Sequence, residues 1–298
     1  MLAEIEKLLA QVHTESGSDA AGQPSRQRSP SSTAHVHTGI DAIDSDLAHT
    51  PPTPARRVIE LAGTAGSGKT QALLRICATA AMAPASADVV LIDADGTLDL
   101  RRLARQMRQM AVDGGATDSA AEAAAAQALQ RIHVFQPATT HALVATLAML
   151  PRYVRERRLR VRLVAIDALG GNHWIDRKEA ACLQLKIKRA TPWFRLQQLL
   201  VDTLLATCQR LDCLAAVAQV LVLPAFASED ERQERVFAVG GREFRDAMIP
   251  RWQAIVLRTY VLEPAVCPDG LTRVSFAMHG QPARHAAVIG PWGLRNCD

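Results

Sequence analysis

Short apolar runs alternate along the chain with longer stretches in which apolar residues return every three or four positions. Val58-Ile59-Glu60-Leu61-Ala62, Val89 to Ile92, Ile132 to Phe135, Val161 to Asp167 and Leu214 to Leu223 are runs of the first kind, and they predict strands buried on both faces. Between them lie helical patterns. Gln71 to Met82 carries Leu73, Leu74, Cys77 and Ala81 at helical spacing and is stopped by Pro84. Leu98 to Val112 turns Leu100, Leu103, Met107 and Met110 inward, and Thr140 to Arg158 does the same with Leu143, Leu147, Leu150 and Val154. The Ala-rich stretch 113–128 predicts a helix on propensity alone, and Thr191 to Leu211 carries a long helical pattern. Strands alternating with helices predict an α/β fold, with a mainly parallel sheet flanked by helices. Near the carboxyl end, Trp252 to Leu262 and Leu271 to Met278 flank Pro268-Asp269-Gly270 and predict an antiparallel hairpin that extends one edge of the sheet. Ala286 to Ile289 adds one last short strand, and the charged stretch 224–250, which includes Gly240-Gly241, reads as a mobile loop.

Residues 2–12 place Leu2, Ile5, Leu8, Leu9 and Val12 on one face of an amphipathic helix. Residues 14–34 are rich in Ser, Pro, Gly, Gln and Arg, the composition of a flexible linker. The expected division is therefore a helix and linker over residues 1–37 and one α/β core domain over residues 38–298. A chain of 298 residues, 48% hydrophobic, is long enough to bury one large core. Its formal charge of +4 permits a nucleic-acid partner without demanding one. No apolar run reaches the length of a membrane span, so no membrane partner is expected. Glu4, Glu6 and Lys7 interrupt the first apolar pattern and argue against a secretory leader. The six cysteines (Cys77, Cys182, Cys208, Cys213, Cys267 and Cys297) form no C-x-x-C pair. Cys208 and Cys213 read as core thiols, and a reducing compartment, cytosol or nucleus, is the simplest fit.

The chemistry centres on Gly63-Thr64-Ala65-Gly66-Ser67-Gly68-Lys69-Thr70, which fits the P-loop pattern G-x-x-x-x-G-K-[ST] in full, with a strand before it and a helix after it. Glycines let backbone N–H groups turn inward around phosphate oxygens, and the following helix points its partial positive end at the same place. In this reading Lys69 meets the β- and γ-phosphates and the Thr70 hydroxyl meets Mg²⁺, so the cofactors are ATP and Mg²⁺. The strand from Val161 ends at Asp167, as a Walker B strand does, and Asp167 becomes the second Mg²⁺ residue. A glycine-rich turn without a ligand is the bland alternative, and the strand–loop–helix context speaks against it.

Several stretches resemble the RecA-type ATPases. Thr38-Gly39 followed by Asp41, Ile43 and Leu47 looks like the segment that leads into the P-loop strand of that family. Ile92-Asp93-Ala94-Asp95-Gly96-Thr97, followed by Leu98 and Arg102-Leu103, is similar to the segment that carries the catalytic glutamate of eukaryotic recombinases. Ala218-Gln219-Val220 resembles the Asn-Gln-Val that opens their second DNA-binding loop, and Gly240-Gly241 falls where a Gly-Gly pair follows that loop. The most specific match is Ile166-Asp167-Ala168-Leu169 followed by His173-Trp174-Ile175-Asp176-Arg177, which closely resembles the Walker B region of a recombinase paralogue. Thr139-Thr140-His141, Trp252-Gln253 with Arg258, and Val288-Ile289-Gly290 ahead of a cysteine add to it. The resemblance spans roughly residues 38–298.

That resemblance implies a RecA-like P-loop ATPase core. It further implies an ATP-binding accessory subunit of homologous recombination and DNA double-strand break repair in the nucleus. Such a subunit works in a heteromer with other recombinase paralogues, supports the recombinase filament, and meets single-stranded or branched DNA through the complex. Asp95 stands where an active recombinase has Glu, a carboxylate shorter by one methylene, which implies slow or no intrinsic hydrolysis. Asp95 and Gln219 are the catalytic candidates, Gln219 as the sensor of the γ-phosphate. His173, Trp174, Arg177 and Lys178 fall where the first DNA loop of recombinases begins, and a subunit contact suits them better than DNA because few basic residues surround them. The run Arg152, Arg155, Arg157, Arg158, Arg160 and Arg162 is either a solvated helix end that suits the helix dipole or a phosphate contact. The competing functions are an autonomous DNA-dependent ATPase that forms its own filaments, a P-loop small-molecule kinase with that run as its lid, and a scaffold with a vestigial P-loop.

Overall fold

The computed structural model describes residues 36–83, 87–169, 192–221, 235–246, 248–266, 272–278 and 285–297, together with Gly171, Ile175, Asp176 and Lys178. The expected helix over residues 2–12, the linker 14–34, and His173, Trp174 and Arg177 lie outside these residues.

Five buried apolar runs become the strands β1 (Val58–Gly63), β2 (Asp88–Asp93), β3 (Ile132–Phe135), β4 (Val161–Leu169) and β5 (Leu214–Val220). With β8 (Val256–Val266), β9 (Thr272–Met278), β10 (His285–Gly290) and β11 (Gly293–Asn296) they form one nine-stranded sheet in the order β11-β10-β9-β8-β1-β5-β4-β2-β3. The six strands from β8 to β3 run parallel, and β9, β10 and β11 continue the edge antiparallel. The expected α/β architecture, a mostly parallel sheet flanked by helices with an antiparallel edge hairpin, is thus what the chain forms.

Alternate residues of the strands feed two cores, one on each face, as the pleat dictates. On the first face Ile59, Leu61, Val89 and Leu91 meet residues from α1 (Asp41–His49), α2 (Lys69–Met82), α3 (Leu100–Asp113) and α4 (Asp118–Leu129). On the second face Val90, Ile92, Val164, Ile166, Ala215 and Val217 meet α5 (Thr140–Arg157) and α6 (Pro192–Leu211), and both Cys208 and Cys213 are buried there. Crossovers therefore leave β1 and β2 over one face and return to β4 and β5 over the other. Parallel strands buried on both sides need this arrangement. No helix among the described residues is long and apolar enough to cross a membrane.

The lead-in Thr38-Gly39 is a structural closure. Asp44 Oδ1 accepts from the Thr38 N–H and hydroxyl, both at 2.7 Å, and Asp44 Oδ2 accepts from the Gly39 N–H at 3.0 Å. Arg75 of α2 then donates to the Gly39 carbonyl, which seats α1 beside the helix that starts the candidate site.

Four details depart from the pattern-based expectation. Trp252–Ile255 is a one-turn helix, α7, so the strand begins at Val256; Trp252 and Ile255, three apart, both turn into the second core. The stretch expected to be a loop over 224–250 contains a hairpin, β6 (Val236–Val239) and β7 (Arg242–Arg245). Gly240 and Gly241 adopt φ of 55° and 75°, the two successive left-handed residues that a tight hairpin turn requires. Leu100, expected inward, is exposed, whereas Leu103 and Met107 are buried. A further strand, β11, follows the one expected at Ala286–Ile289.

Candidate functional site

The carboxyl ends of β1, β2, β4 and β5 emerge together, and adjacent strands hold their last residues in register. Asp93 lies opposite Asp167, Gly63 opposite Val220, and Gln219 opposite both Ala62 and Leu169. In open α/β sheets this end of the strands is where ligands are held.

The segment Gly63–Thr70 turns from β1 into α2 here. Gly66 and Gly68 adopt φ of +77° and +92°, conformations that L side chains rarely take, and Gly68 is the left-handed N-cap of α2. A side chain on Gly63 would strike Ser67 Oγ and lie 2.9 Å from the Leu262 carbonyl, so the turn is closed tightly against β8. Lys69, the first residue of α2, is buried. Its ammonium donates to the Gly63 carbonyl (3.0 Å), the Thr64 carbonyl (2.6 Å) and Ser67 Oγ (3.4 Å). Burial lowers its pKa to about 8, while Asp167 and Asp95 pull in the opposite direction.

Asp167 is buried at the end of β4. Burial raises its pKa to about 6; a hydrogen bond from the Thr70 hydroxyl opposes this, Asp95 and Asp93 add to it, and Lys69 opposes it. Thr70 and Asp167, the two residues chosen from the sequence for a hard cation, therefore face each other. Two oxygen ligands suit Mg²⁺, which keeps several waters and takes phosphate oxygens for the rest. No cluster of three or more His, Cys, Asp or Glu in a metal-holding arrangement occurs among the described residues.

Asp95 follows β2 on a short turn and is exposed along one side. Partial burial, and next the Asp93 charge, raise its pKa, against the main-chain N–H of Ala168 that donates to it and against Lys69. The carboxylate rests on the Gly171 backbone, where any Cβ would strike Oδ1. Gly171 was not singled out in the sequence; the Gly170-Gly171 pair just after the apolar run of β4 was its only signal. Asp93 was quoted only as part of the stretch Ile92 to Thr97. It accepts from the N–H groups of Thr97 (3.1 Å) and Leu98 (3.3 Å) and from Gln136 Nε2 (2.9 Å), which shapes the turn that presents Asp95.

Gln219 differs from the rest. Its side chain is fully buried, and neither its amide nitrogen nor its amide oxygen has a hydrogen-bond partner among the described residues. A buried amide in that condition is costly unless a further group meets it. Thus the structure brings Lys69, Thr70, Asp95 and Asp167 into one electrostatic cluster and leaves Gln219 beside it, on the strand next to the loop, bonded to none of them.

Two other stretches chosen from the sequence have different settings. Asp176 is buried and accepts from Thr140 Oγ1 at 2.5 Å, tying the start of α5 to the segment after β4; Ile175 beside it is exposed. The run Arg152–Arg162 occupies the end of α5 and the start of β4, at the amino end of the parallel strands and opposite the site.

The arrangement can hold a polyanion. A left-handed glycine turn opens a helix N-terminus, a buried ammonium sits on the loop's own carbonyls, and an adjacent hydroxyl–carboxylate pair is suited to a divalent cation. No protein-family model and no curated protein matches the chain.

Proposed function

We propose that the chain is a RecA-like P-loop ATPase subunit that binds Mg·ATP with residues Gly63–Thr70 and Asp167. We further propose that it serves as an accessory subunit of homologous recombination, in a nuclear heteromer with other recombinase paralogues. The observation that carries the nucleotide reading is the buried Asp167 facing Thr70 and Lys69, at the carboxyl ends of β1 and β4, which flank β5. There a P-loop hydroxyl, a Walker B carboxylate and a P-loop ammonium come together. The recombination half rests on the resemblance of the Asp167 to Arg177 stretch to the paralogue group typified by the second X-ray-repair cross-complementing protein.

Thr70 and Asp167 would hold Mg²⁺, which would neutralise phosphate charge there. The chain's own residues do the remainder. Lys69 exchanges its loop carbonyls for phosphate oxygens, and Thr70 and Asp167 hold the cation side. Gln219 supplies a buried amide whose unmet hydrogen-bonding capacity suits the γ-phosphate. Asp95 orients the attacking water from a carboxylate one methylene short of glutamate. Misplacement of about one ångström at such a position lowers a rate by about 100-fold, which supports slow turnover.

The test is Mg·ATP binding together with steady-state and single-turnover hydrolysis, with and without single-stranded DNA. Tight binding with negligible turnover is expected. Rapid, DNA-stimulated turnover by the chain alone would replace this reading with an autonomous ATPase. Failure to bind Mg·ATP, or equal binding by Lys69→Ala, would remove the nucleotide reading.

A further inference from the structure

The phosphate end of the site accounts for Gly63–Thr70, but not for what lies beside the first turn of α2. The antiparallel edge folds over that turn. A Cβ on Gly68 would lie 2.7 Å from Ile289 Cδ1 and 3.1 Å from Val274 Cγ2, so β9 and β10 abut the start of the helix. Ile289 is the second-last residue of β10, and Pro291-Trp292 forms the two-residue turn between the paired residues Gly290 and Gly293. Trp292 is 45% exposed.

Three elements meet here. α2, α3 and β11 pack against one another. All three start at the carboxyl end of the sheet, α2 at Lys69, α3 at Leu100 and β11 at Gly293. The turn that carries the exposed Trp292 therefore stands beside the first turn of α2, at the same end of the sheet as the Gly63–Thr70 loop. The Trp292 turn is anchored. Gly293 adopts φ of +109° and presses on the Gln106 side chain, where an added Cβ would lie 2.8 Å from Cδ, and Gln106 Nε2 donates to the Leu294 carbonyl. Three residues of chain separate Trp292 from Ile289, a reach of at most about 11 Å. That is comparable to the span from the phosphates to the base of a nucleotide.

We infer that Trp292 is the stacking platform for the base of the nucleotide whose phosphates are held at Gly63–Thr70. This inference rests on the nucleotide reading above. A tryptophan face stacks on any base and distinguishes a nucleotide from its bare phosphates.

The experiment compares Mg·ATP with Mg·tripolyphosphate on the full chain by calorimetry. Trp292→Ala is expected to lose about tenfold or more in ATP affinity. Its tripolyphosphate affinity should stay within about twofold of the parent, which also reports that the loop is folded. Trp292→Phe keeps a ring and should retain most of the ATP affinity. In the parent, ATP but not tripolyphosphate should quench the tryptophan emission, and Trp292→Phe should remove that quench. Unchanged ATP affinity in Trp292→Ala, or equal loss of both ligands, overturns the inference while leaving the phosphate site intact. A parent that binds neither ligand overturns the nucleotide reading and the inference with it.

Discussion

Lys69 and Asp167 are held by burial on the wrong side of their usual titration ranges, and this makes the site pH-sensitive. The Lys69 pKa falls to about 8 and that of Asp167 rises to about 6. A Mg·nucleotide needs the ammonium charged and the carboxylate ionised. Affinity is therefore lost as pH falls through about 6, where Asp167 takes a proton, and lost again as pH rises through about 8, where Lys69 gives one up. Calorimetry of Mg·ATP across that range should give a plateau between the two limbs. Asp167→Asn should flatten the acid limb relative to the parent, which separates the protein's titration from that of the phosphate. A parent profile flat from pH 5 to pH 9 would mean that these two groups do not meet the ligand. A second expectation concerns Gly171. Gly171→Ala places a methyl where Asp95 Oδ1 now lies, so it should displace that carboxylate. The slow single-turnover rate should fall by about tenfold or more with Mg·ATP affinity unchanged. An equal fall in affinity would give Gly171 a binding role instead. At this scale the glycine turn at Gly66 and Gly68 was legible in the sequence, because left-handed backbone restricts those positions to glycine. Gly171 was not, because its constraint comes from a side chain on another strand's turn. Gln219 was legible as a position, but its missing partners became visible only when β1 and β4 closed on either side of it.

Among the elements, the hairpin β6–β7 is the least expected, and a buried ion network holds it. Glu60 on β1 is fully buried. It accepts from Arg235 Nη2 at 2.7 Å through both carboxylate oxygens, from Trp252 Nε1 at 2.6 Å and from Thr259 Oγ1 at 2.6 Å. Arg235, just before β6, also donates to Asp246, just after β7, at 2.6 Å. Both ends of the hairpin are thereby fastened to the strand that leads into the phosphate loop. Phe237 and Val239 pack on Ala62, Leu221 and Val261 beside Gln219. One guanidinium serves two carboxylates. Burial is the largest influence on Asp246, and despite Arg235 it leaves the pKa at about 6. Arg235→Met would leave Glu60 and Asp246 buried without their cation, a loss of about 3–5 kcal/mol measurable by urea unfolding. Adding Glu60→Gln should recover part of it. A loss below about 1 kcal/mol would show that the hairpin is held by its apolar contacts alone. Sequence reading missed this hairpin for a physical reason. Its anchor is a contact across 175 residues, and within β1 Glu60 looked like an isolated polar residue in an apolar run. The Gly-Gly turn was present, but the charges around it masked the alternation of Val236, Phe237, Ala238 and Val239.

For the whole molecule, the sheet separates two charge regions that the sequence left free to meet. Crossovers over both faces put every β-to-α turn at one end and every α-to-β turn at the other. That topology was legible from the alternation of apolar runs and helical patterns, because parallel strands need helical crossovers. The position of the basic run relative to the P-loop followed only once the strand order was known. Arg160 precedes β4 and Asp167 lies near its other end, seven residues away, or roughly 23 Å along an extended strand. This is well beyond the screening length of about 8 Å at physiological salt. Arg157 lies over the Tyr153 ring at 4.9 Å and the Arg160 main-chain N–H donates to Asp88 Oδ2, so the backbone that carries the run is fixed at the amino end of the sheet, away from the site. A small-molecule kinase that used this run as a lid would need those guanidinium groups on the transferred phosphate. The double variant Arg157→Gln, Arg160→Gln should therefore bind Mg·ATP within about twofold of the parent. A tenfold loss would reopen the kinase reading and contradict the separation drawn from the fold. The same variant decides the run's other role. If these arginines meet nucleic-acid phosphates, single-stranded DNA binding should weaken, and its salt dependence should become shallower by about one unit of slope for each contact removed. If both ligands bind as before, the run serves the negative end of the α5 dipole.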